Sequence, residues 1–478
     1  MRVTELANPE TDSFDQLHFP EQVQALFRAE RQMFGSSEWG PALSDHVLHL
    51  QIGRIAQKLA VVASDPQGRI YIGGAGTSGR LALFAQYYLP QIGVQAETIG
   101  MMAGGTDAFF KAKEGVEDSA EAGQADLAHY GPCSGRQAYI GITCGLSAAY
   151  IAGQLAYACE AGFDCVVLIG FNPLDGASDR PIEALGTSLK GLLCNAELNI
   201  ELINPILGPE PIAGSTRMKG GSASLILLDC LFRGGSVAQR ISAYAQFHES
   251  VFSSMEHQLP QKVPLALTCL ENSRTLWYRA TGMALFAAVL DAAECPPTFG
   301  SKPEQVRVFE PEGLDVYLPV LDHAHQPQIQ PGDWIFEVPA WHQPLEATLQ
   351  SDLAQLLATK WMLNAFSTQV FAAFGKIYQN RMIDLRISNL KLLQRAVDLV
   401  SLLGKVSAER ARQAIYEVIE ISGQEPHRIV SQAVRKDRVV PTALLMCLSG
   451  KTKAACEQLL HDTPRVYDAL NRFMEVTK

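Results

Sequence analysis

The sequence predicts an α/β fold of parallel sheets sandwiched by helices, followed by an all-helical C-terminal region. Three observations carry this expectation. Short β-branched and aromatic runs alternate with helix-forming stretches from residue 46 to about 345. The runs at Ile70–Ile72 and Ala138–Thr143 each end in small glycine- and hydroxyl-rich residues before helix formers resume. From about Glu346 to Lys478 the chain reads almost wholly helical, with turns at Ser422-Gly423, Glu425-Pro426 and Ser449-Gly450.

In chain order, residues 1–45 read as an extended arm and then a helix, punctuated by Asn8-Pro9 and Gly40-Pro41. His46 to Ala63 reads as an amphipathic helix. Arg69 to Leu83 (RIYIGGAGTSGRLAL) is a strand, a glycine-rich turn and a helix start. A helix start offers unpaired N–H groups and the positive end of its dipole, so it suits an anion. Thr77 and Ser78 add hydroxyl donors beside Gly76. A Walker loop is excluded because no Gly-Lys-Ser/Thr follows. Gly74-Ala75-Gly76-Thr77-Ser78-Gly79 matches the dinucleotide fingerprint, and Glu97 lies near the spacing of its acidic partner. The pattern therefore leaves NAD open, as it leaves a plain βα turn, while the Thr-Ser pair favours a compact phosphate.

Val94 to Met101 reads as a strand turning at Ala103-Gly104-Gly105. Lys113 to Ser119 is an acidic cluster whose composition alone fits a solvated helix start. Cys144-Gly145-Leu146-Ser147 then links the Ala138–Thr143 strand to a helix over 148–161, a second source of donors. Further strands are expected at Cys165–Gly170 and Leu198–Ile203. In such sheets ligands bind at the carboxyl ends of the strands, where these loops fall. Gly208 to Gly221 carries Ser215, Thr216, Arg217 and Lys219 ahead of an apolar helix. It reads as a second anion site, a lid over the first, or a basic interdomain turn.

Around Ser273 the pattern restarts. Thr275 to Gly282 echoes the first strand and loop, and Met283 to Ala287 echoes Leu81 to Ala85. This predicts a duplicated domain whose second copy lacks the glycine-rich loop, with a site between the copies. Glu294, in the apolar stretch ending Cys295-Pro296-Pro297, reads either as an acid with a raised pKa or as a helix-end residue facing water. Gln326 to Pro344 is loop-like, with a short strand at Trp334–Val338. Lys391 lies on a cap helix, where a solvated lysine is the ordinary reading. Asp322-His323-Ala324-His325 has no further ligand at a recognisable spacing, so neither a metal nor a cofactor is expected. Ser78 and Ser147 lack a patterned base, so no Ser-His-Asp nucleophile is expected.

Composition bounds the partners. A net charge of −11 argues against nucleic acid and anionic membranes, and no window is long and apolar enough to span a bilayer. Ten scattered cysteines without C-x-x-C suit a reducing cytosol, and the polar, acidic N-terminus resembles no targeting peptide; a cytoplasmic protein is expected.

Several long motifs together resemble a known family. GAGTSGR, the AGG at Ala103, EGVEDS and GSTRMKGG are similar to the sugar isomerase (SIS) domains of N-acetylmuramic acid 6-phosphate etherases. GITCGLSAAYIAGQ, GFNP, NPILGPEPIAGSTRMKGGSA, TKWMLNAFSTQ and GKIYQNRMIDLRISNLKL resemble the etherase-related glucokinase regulatory proteins more closely. The resemblance implies two flavodoxin-like SIS domains and a helical lid. The expected division is an arm over 1–45, a first SIS domain over 46–258, a second, shorter one over 259–345 and the cap over 346–478. It also implies a phosphorylated sugar between the SIS domains, of the fructose phosphate or muramic acid 6-phosphate type, with a sugar kinase as protein partner. By motif position, Gly76, Thr77, Ser78, Thr143, Gly145 and Ser147 would hold the sugar phosphate, joined by Lys391 from the cap. Ser215 and Arg217 are added from their loop. Glu117 and Glu294 match the two essential glutamates of the etherases.

If the chain is an enzyme, the resemblance implies a carbon–oxygen lyase releasing D-lactate, and after it an aldose–ketose isomerase with Glu117 as base. Two departures bear on the lyase. ECPPTFG stands in the second copy rather than after GAGTSGR, and the arginine of the etherase loop A-S-G-R-T-P-Y is absent from Cys144–Tyr150. Retention of Glu117 and Glu294 still allows both at one interfacial site.

Overall fold

The computed structural model describes residues 2–35, 38–109, 115–309, 329–339, 341, 349, 351–387, 390–421, 429, 432–433 and 435–476. The arm forms three short 3-10 turns, and then helix α1 spans Phe19–Arg31. Next come α2 (His46–Ala63), β1 (Arg69–Gly74), α3 (Thr77–Gln91), β2 (Glu97–Met102), α4 (Ala120–Ala128), β3 (Gln137–Ile142), α5 (Ala149–Glu160), β4 (Cys165–Ile169), α6 (Leu189–Cys194) and β5 (Glu201–Ile203). These strands form one parallel sheet in the order β2-β1-β3-β4-β5, with Arg69 in register with both Glu97 and Gln137. The order reverses between β1 and β3, the switch point at which such sheets open a crevice.

Strand parity decides which helices cover which face. Ile70, Ile72, Ile140, Ile142, Val167 and Ile169 face a core shared with α2, α3 and the helix α7 (Lys219–Phe232). Tyr71, Tyr139, Val166 and Leu168 face a second core built with α4, α5 and α6. Both faces are therefore dry, which is why these strands read as continuous apolar runs. Two strand boundaries differ from the sequence expectation. β2 starts at Glu97 rather than Val94, and β5 starts only at Glu201 because Ala196–Leu198 is a 3-10 turn closed by Asn199 at φ 50°.

Helices α8 (Val237–Met255) and α9 (Leu259–Glu271) lead into a second parallel sheet. There β6 (Leu276–Arg279) lies between β7 (Val306–Phe309) and β8 (Trp334–Glu337), and α10 (Gly282–Thr298) crosses from β6 to β7. Gly282 opens α10 at φ 55°, the value of Gly76 before α3, so the second copy keeps one left-handed glycine of the first loop. The following helix, α11 (Ser351–Ala373), packs against α10 and α9 and is buried in the main core.

A two-residue hairpin, β9 (Ile377–Tyr378) with β10 (Arg381–Met382), interrupts the stretch expected to be wholly helical; Gln379 at φ 55° makes its turn. Beyond it α12 (Leu390–Gly404), α13 (Ala408–Ile419) and the helices Val439–Ser449, Lys453–Asp462 and Val466–Val476 share a separate apolar core running from Tyr378 to Ala469. The arm straps the first sheet's carboxyl edge. Thr4 N–H donates to Asn172 Oδ1 (3.1 Å), Asn8 Nδ2 to Pro209 O (2.7 Å) and Thr11 Oγ1 to Pro211 O (2.6 Å).

Candidate functional site

The mouth of the first sheet is set by backbone constraints. A Cβ on Gly74 would lie 2.2 Å from the Ser78 carbonyl carbon, so β1 can run into α3 only with glycine there. Gly76 turns the chain at φ 55°, with open space where a side chain would stand. Thr77, half-buried, and Ser78, buried, then occupy the first turn of α3, whose leading N–H groups have no intrahelical acceptor. Ser78 Oγ lies 3.6 Å from Cys144 Sγ. Burial pushes the Cys144 thiol up to about 12, so it stays a neutral neighbour.

After β3, Thr143 is buried and its Oγ1 accepts from the N–H of Ser147 (3.3 Å) and of Ala148 (3.4 Å). That hydroxyl braces the loop, which turns through Leu146 at φ 49° and leaves Ser147 exposed. A side chain at Gly145 would meet Ser147 Oγ at 3.2 Å. Ala75, Val116 and Ala148 pack on the same apolar cluster beneath this rim. Val116 belongs to the 3-10 turn Val116–Asp118, which packs on α5 and exposes Glu117.

Glu294 comes from the other domain. Its carboxylate, buried on α10, lies 3.5 Å from the guanidinium of Arg80, one turn into α3. Arg80 also donates from Nε to Phe109 O (2.8 Å) and from Nη2 to Ala108 O (3.3 Å). Burial lowers its pKa and Glu294 opposes that shift, so the pair joins the two domains across the mouth.

Arg217 faces a different way. Its guanidinium is buried and donates to Asp291 Oδ1 (2.8 Å), Asn364 Oδ1 (2.9 Å), Thr368 Oγ1 (2.8 Å) and Ser367 Oγ (3.3 Å). Burial alone would lower its pKa, but Cys295, Asp291 and Glu294 hold it above the ordinary value. The loop cation thus clasps α10 and α11. Ser215 is buried with no hydrogen-bond partner for its hydroxyl. Lys219 Nζ donates to Leu207 O (2.8 Å) and Gln32 Oε1 (3.2 Å), and its backbone N–H donates to Glu210. Burial raises the Glu210 pKa to about 7 and lowers that of Lys219 to about 8.

The structure thus gathers Gly76, Thr77, Ser78, Thr143, Gly145 and Ser147 at the β1–β3 crevice and brings Glu294 to its wall. Lys391 lies in the first turn of α12, and its side chain is outside the described residues, as is the Asp322–His325 group. Sequence reasoning assigned no role to Arg80, nor to the α11 face of Lys360, Asn364, Ser367 and Thr368. Its signal was a polar stripe at helical spacing within an apolar helix. Among the described residues no cluster of His, Cys, Asp and Glu suits a metal, and no helix is long and apolar enough to cross a membrane.

Fold and crevice together define a two-sheet SIS protein with a helical lid. The family models of the N-terminal SIS domain and the C-terminal lid domain of glucokinase regulatory protein match residues 52–159 and 379–470, and the second match coincides with the separate helical core. Human glucokinase regulatory protein is 27% identical over 578 aligned residues, covering 98% of this chain and 92% of that one. The N-acetylmuramic acid 6-phosphate etherase of Gloeobacter violaceus is 30% identical over 305 residues, covering 61% of this chain and 90% of that one. Among solved structures, the tagatose-6-phosphate ketose/aldose isomerase of Escherichia coli aligns with a TM-score of 0.46 at 9% identity, over 77% of this chain and 96% of that one. The chain belongs to the family of glucokinase regulatory proteins and N-acetylmuramic acid 6-phosphate etherases.

Proposed function

We propose that this chain is a cytoplasmic sensor that binds a phosphorylated sugar between its two SIS domains and presents the bound state to a sugar kinase. One observation carries the reading: the Thr77-Ser78 helix start, built to receive an anion, meets a second-domain carboxylate within one helical turn, at Arg80–Glu294. A ligand there touches both domains, so its binding is linked to how they seat, and a partner sensing that seat must alter ligand affinity by the same factor. Ten free cysteines fit a reducing compartment.

A second reading, the lyase, is favoured by the buried position of Glu294 at the crevice and by Glu117 on the rim element packed against α5. One glutamate would take the proton beside the sugar carbonyl. The other would protonate the departing ether oxygen as its carbon–oxygen bond breaks, releasing D-lactate.

The test is a thermal-shift titration with fructose 1-phosphate, fructose 6-phosphate and N-acetylmuramic acid 6-phosphate, beside an assay of lactate release. Stabilisation by a fructose phosphate without turnover supports the sensor. Lactate release abolished by Glu117→Ala and by Glu294→Ala supports the lyase. A shift with nicotinamide nucleotides alone overturns both.

A further inference from the structure

We infer that Lys360 is the buried cation that makes this mouth select a doubly charged phosphate ester over a singly charged anion of the same shape. The inference rests on the sugar-phosphate reading above and adds a residue on α11, in neither of the loops that read as the cradle.

Lys360 is 4% exposed, and its ammonium donates to the backbone oxygens of Arg217 (2.5 Å) and Met218 (3.4 Å) and to Ser222 Oγ (3.4 Å). All three partners are neutral. Among the described residues no carboxylate lies within ion-pair distance of it; Glu30, Glu294 and Glu210 act on it only through space. Glu30, buried nearby on α1, has no hydrogen-bond partner on either oxygen. A buried ammonium without a contact ion pair is costly, and burial lowers its pKa accordingly. Through space Lys360 offsets part of the cost of burying Glu30, but no contact pair between them holds the ammonium where it sits.

Position supplies the reason. A methyl built on Gly221 would lie 3.2 Å from Lys360 Nζ and 3.4 Å from Thr77 Cγ2. One missing side chain thus separates the ammonium from the first residue of α3. The corner combines that helix start, the mutually compensating Arg80–Glu294 pair and the Lys360 ammonium, which has no contact ion pair, in a wall of low dielectric. Charge–charge attraction through such a wall scales with ligand charge, whereas the loop N–H and hydroxyl donors serve any oxyanion.

The test uses the full chain and calorimetry, with whichever of the three sugar phosphates above binds tightest and with the sulfate ester of the same sugar at the same carbon. The phosphate ester carries about −1.5 to −2 charges at neutral pH, by the second pKa of phosphate near 6, and the sulfate ester carries one. Lys360→Met is expected to weaken the phosphate ester by about 10–100-fold, the size of a unit charge acting over several ångströms at an effective dielectric of about 20. It should weaken the sulfate ester distinctly less, and Lys360→Arg should restore the discrimination. Should Lys360→Met lack the native near-ultraviolet circular dichroism, Lys360→Gln gives the same readout, because its amide keeps hydrogen-bond donors for the loop without the charge. Equal weakening of both esters, or none, overturns the inference and leaves the sugar-phosphate site standing. Failure of every sugar phosphate to bind the wild-type chain at millimolar concentration overturns the site reading and the inference with it.

Discussion

Replacing Arg217 with Met should cost about 3–5 kcal/mol of stability, the penalty for breaking a buried pair by removing one partner. The structure supports that size. Arg217 and Asp291 are each 3% exposed, and the guanidinium makes four side-chain hydrogen bonds. Without it Asp291 keeps only the hydroxyls of Tyr278 (2.9 Å) and Ser367 (2.8 Å), two neutral donors for a buried carboxylate. Burial already raises the Asp291 pKa, Arg217 opposes that shift, and the substitution removes the opposition. A carboxyl whose folded pKa lies above its unfolded value of about 3.9 stabilises the fold at low pH and loses that contribution as pH rises through the folded pKa. The deficit of Arg217→Met should therefore be smaller at pH 5 than at pH 8. Adding Asp291→Asn should recover part of it, with a coupling above about 1 kcal/mol, and should abolish the added pH dependence. Urea titration followed by tryptophan fluorescence at both pH values reads all of this. A cost below about 1 kcal/mol, simple additivity, or a deficit independent of pH would refute the clasp as an interdomain charge pair.

Other outcomes follow from buried groups and from the loop. His248 is buried against Phe27, Phe34 and Trp361 with neither ring nitrogen hydrogen-bonded, and burial pushes its pKa down to about 3. Stability is therefore lost as pH falls below about 6.5, by roughly 2 kcal/mol at pH 5; His248→Phe should flatten that acid limb in melting curves. Asp15 has the opposite sign: burial raises it to about 6, so its cost grows as pH rises from about 4 to about 6 and is constant above that. Asp15→Asn should raise stability at pH 8 by about 1–3 kcal/mol, and do little at pH 4. Gly76→Ala meets open space, but its backbone at φ 55° and ψ −128° lies outside the left-handed helical well, and the strain should cost about 1–3 kcal/mol. Gly74→Ala collides with the Ser78 backbone and should abolish ligand-induced thermal shifts even where the protein still folds.

The first sheet was legible because its signals are local: a β run, a glycine loop and a helix restart lie within fifteen residues at Arg69–Leu83. Boundaries slipped where a backbone conformation intervened, as at Asn199, whose left-handed turn no apolar pattern announces. Partnership was the part that local pattern could not carry. A loop rich in cations and hydroxyls has one composition whether it faces a ligand or a distant carboxylate, and Arg217 is held by Asp291, 74 positions on. Likewise α11 carries apolar residues around most of its circumference, which says that it is buried but not in which core. Its polar stripe, Lys360 to Thr368, acquires meaning only once the loop from Arg217 to Ser222 lies against it.

The duplication explains why one carboxylate reaches the mouth from so far along the chain. In the first copy the left-handed glycine is followed by Thr77-Ser78, and the helix start is open at the crevice. In the second, Gly282 keeps that backbone turn, but Met283 and Ala284 follow and nearly all of α10 is buried. A helix relieved of cradling an anion can be packed on every side, and its two buried acids then serve as contacts between domains. Asp291 takes Arg217 and Glu294 takes Arg80, one helical turn apart on the same face of α10. Arg80 comes from the first helix turn at the mouth and Arg217 from the loop before α7, so α10 is held against the first sheet's unit at two points. Any ligand that competes for Arg80 or Glu294 must act on a helix already fixed by Asp291. A shift of α10 would cost the Arg217 clasp, so the proposed sensor would couple ligand occupancy to interdomain seating through this one helix.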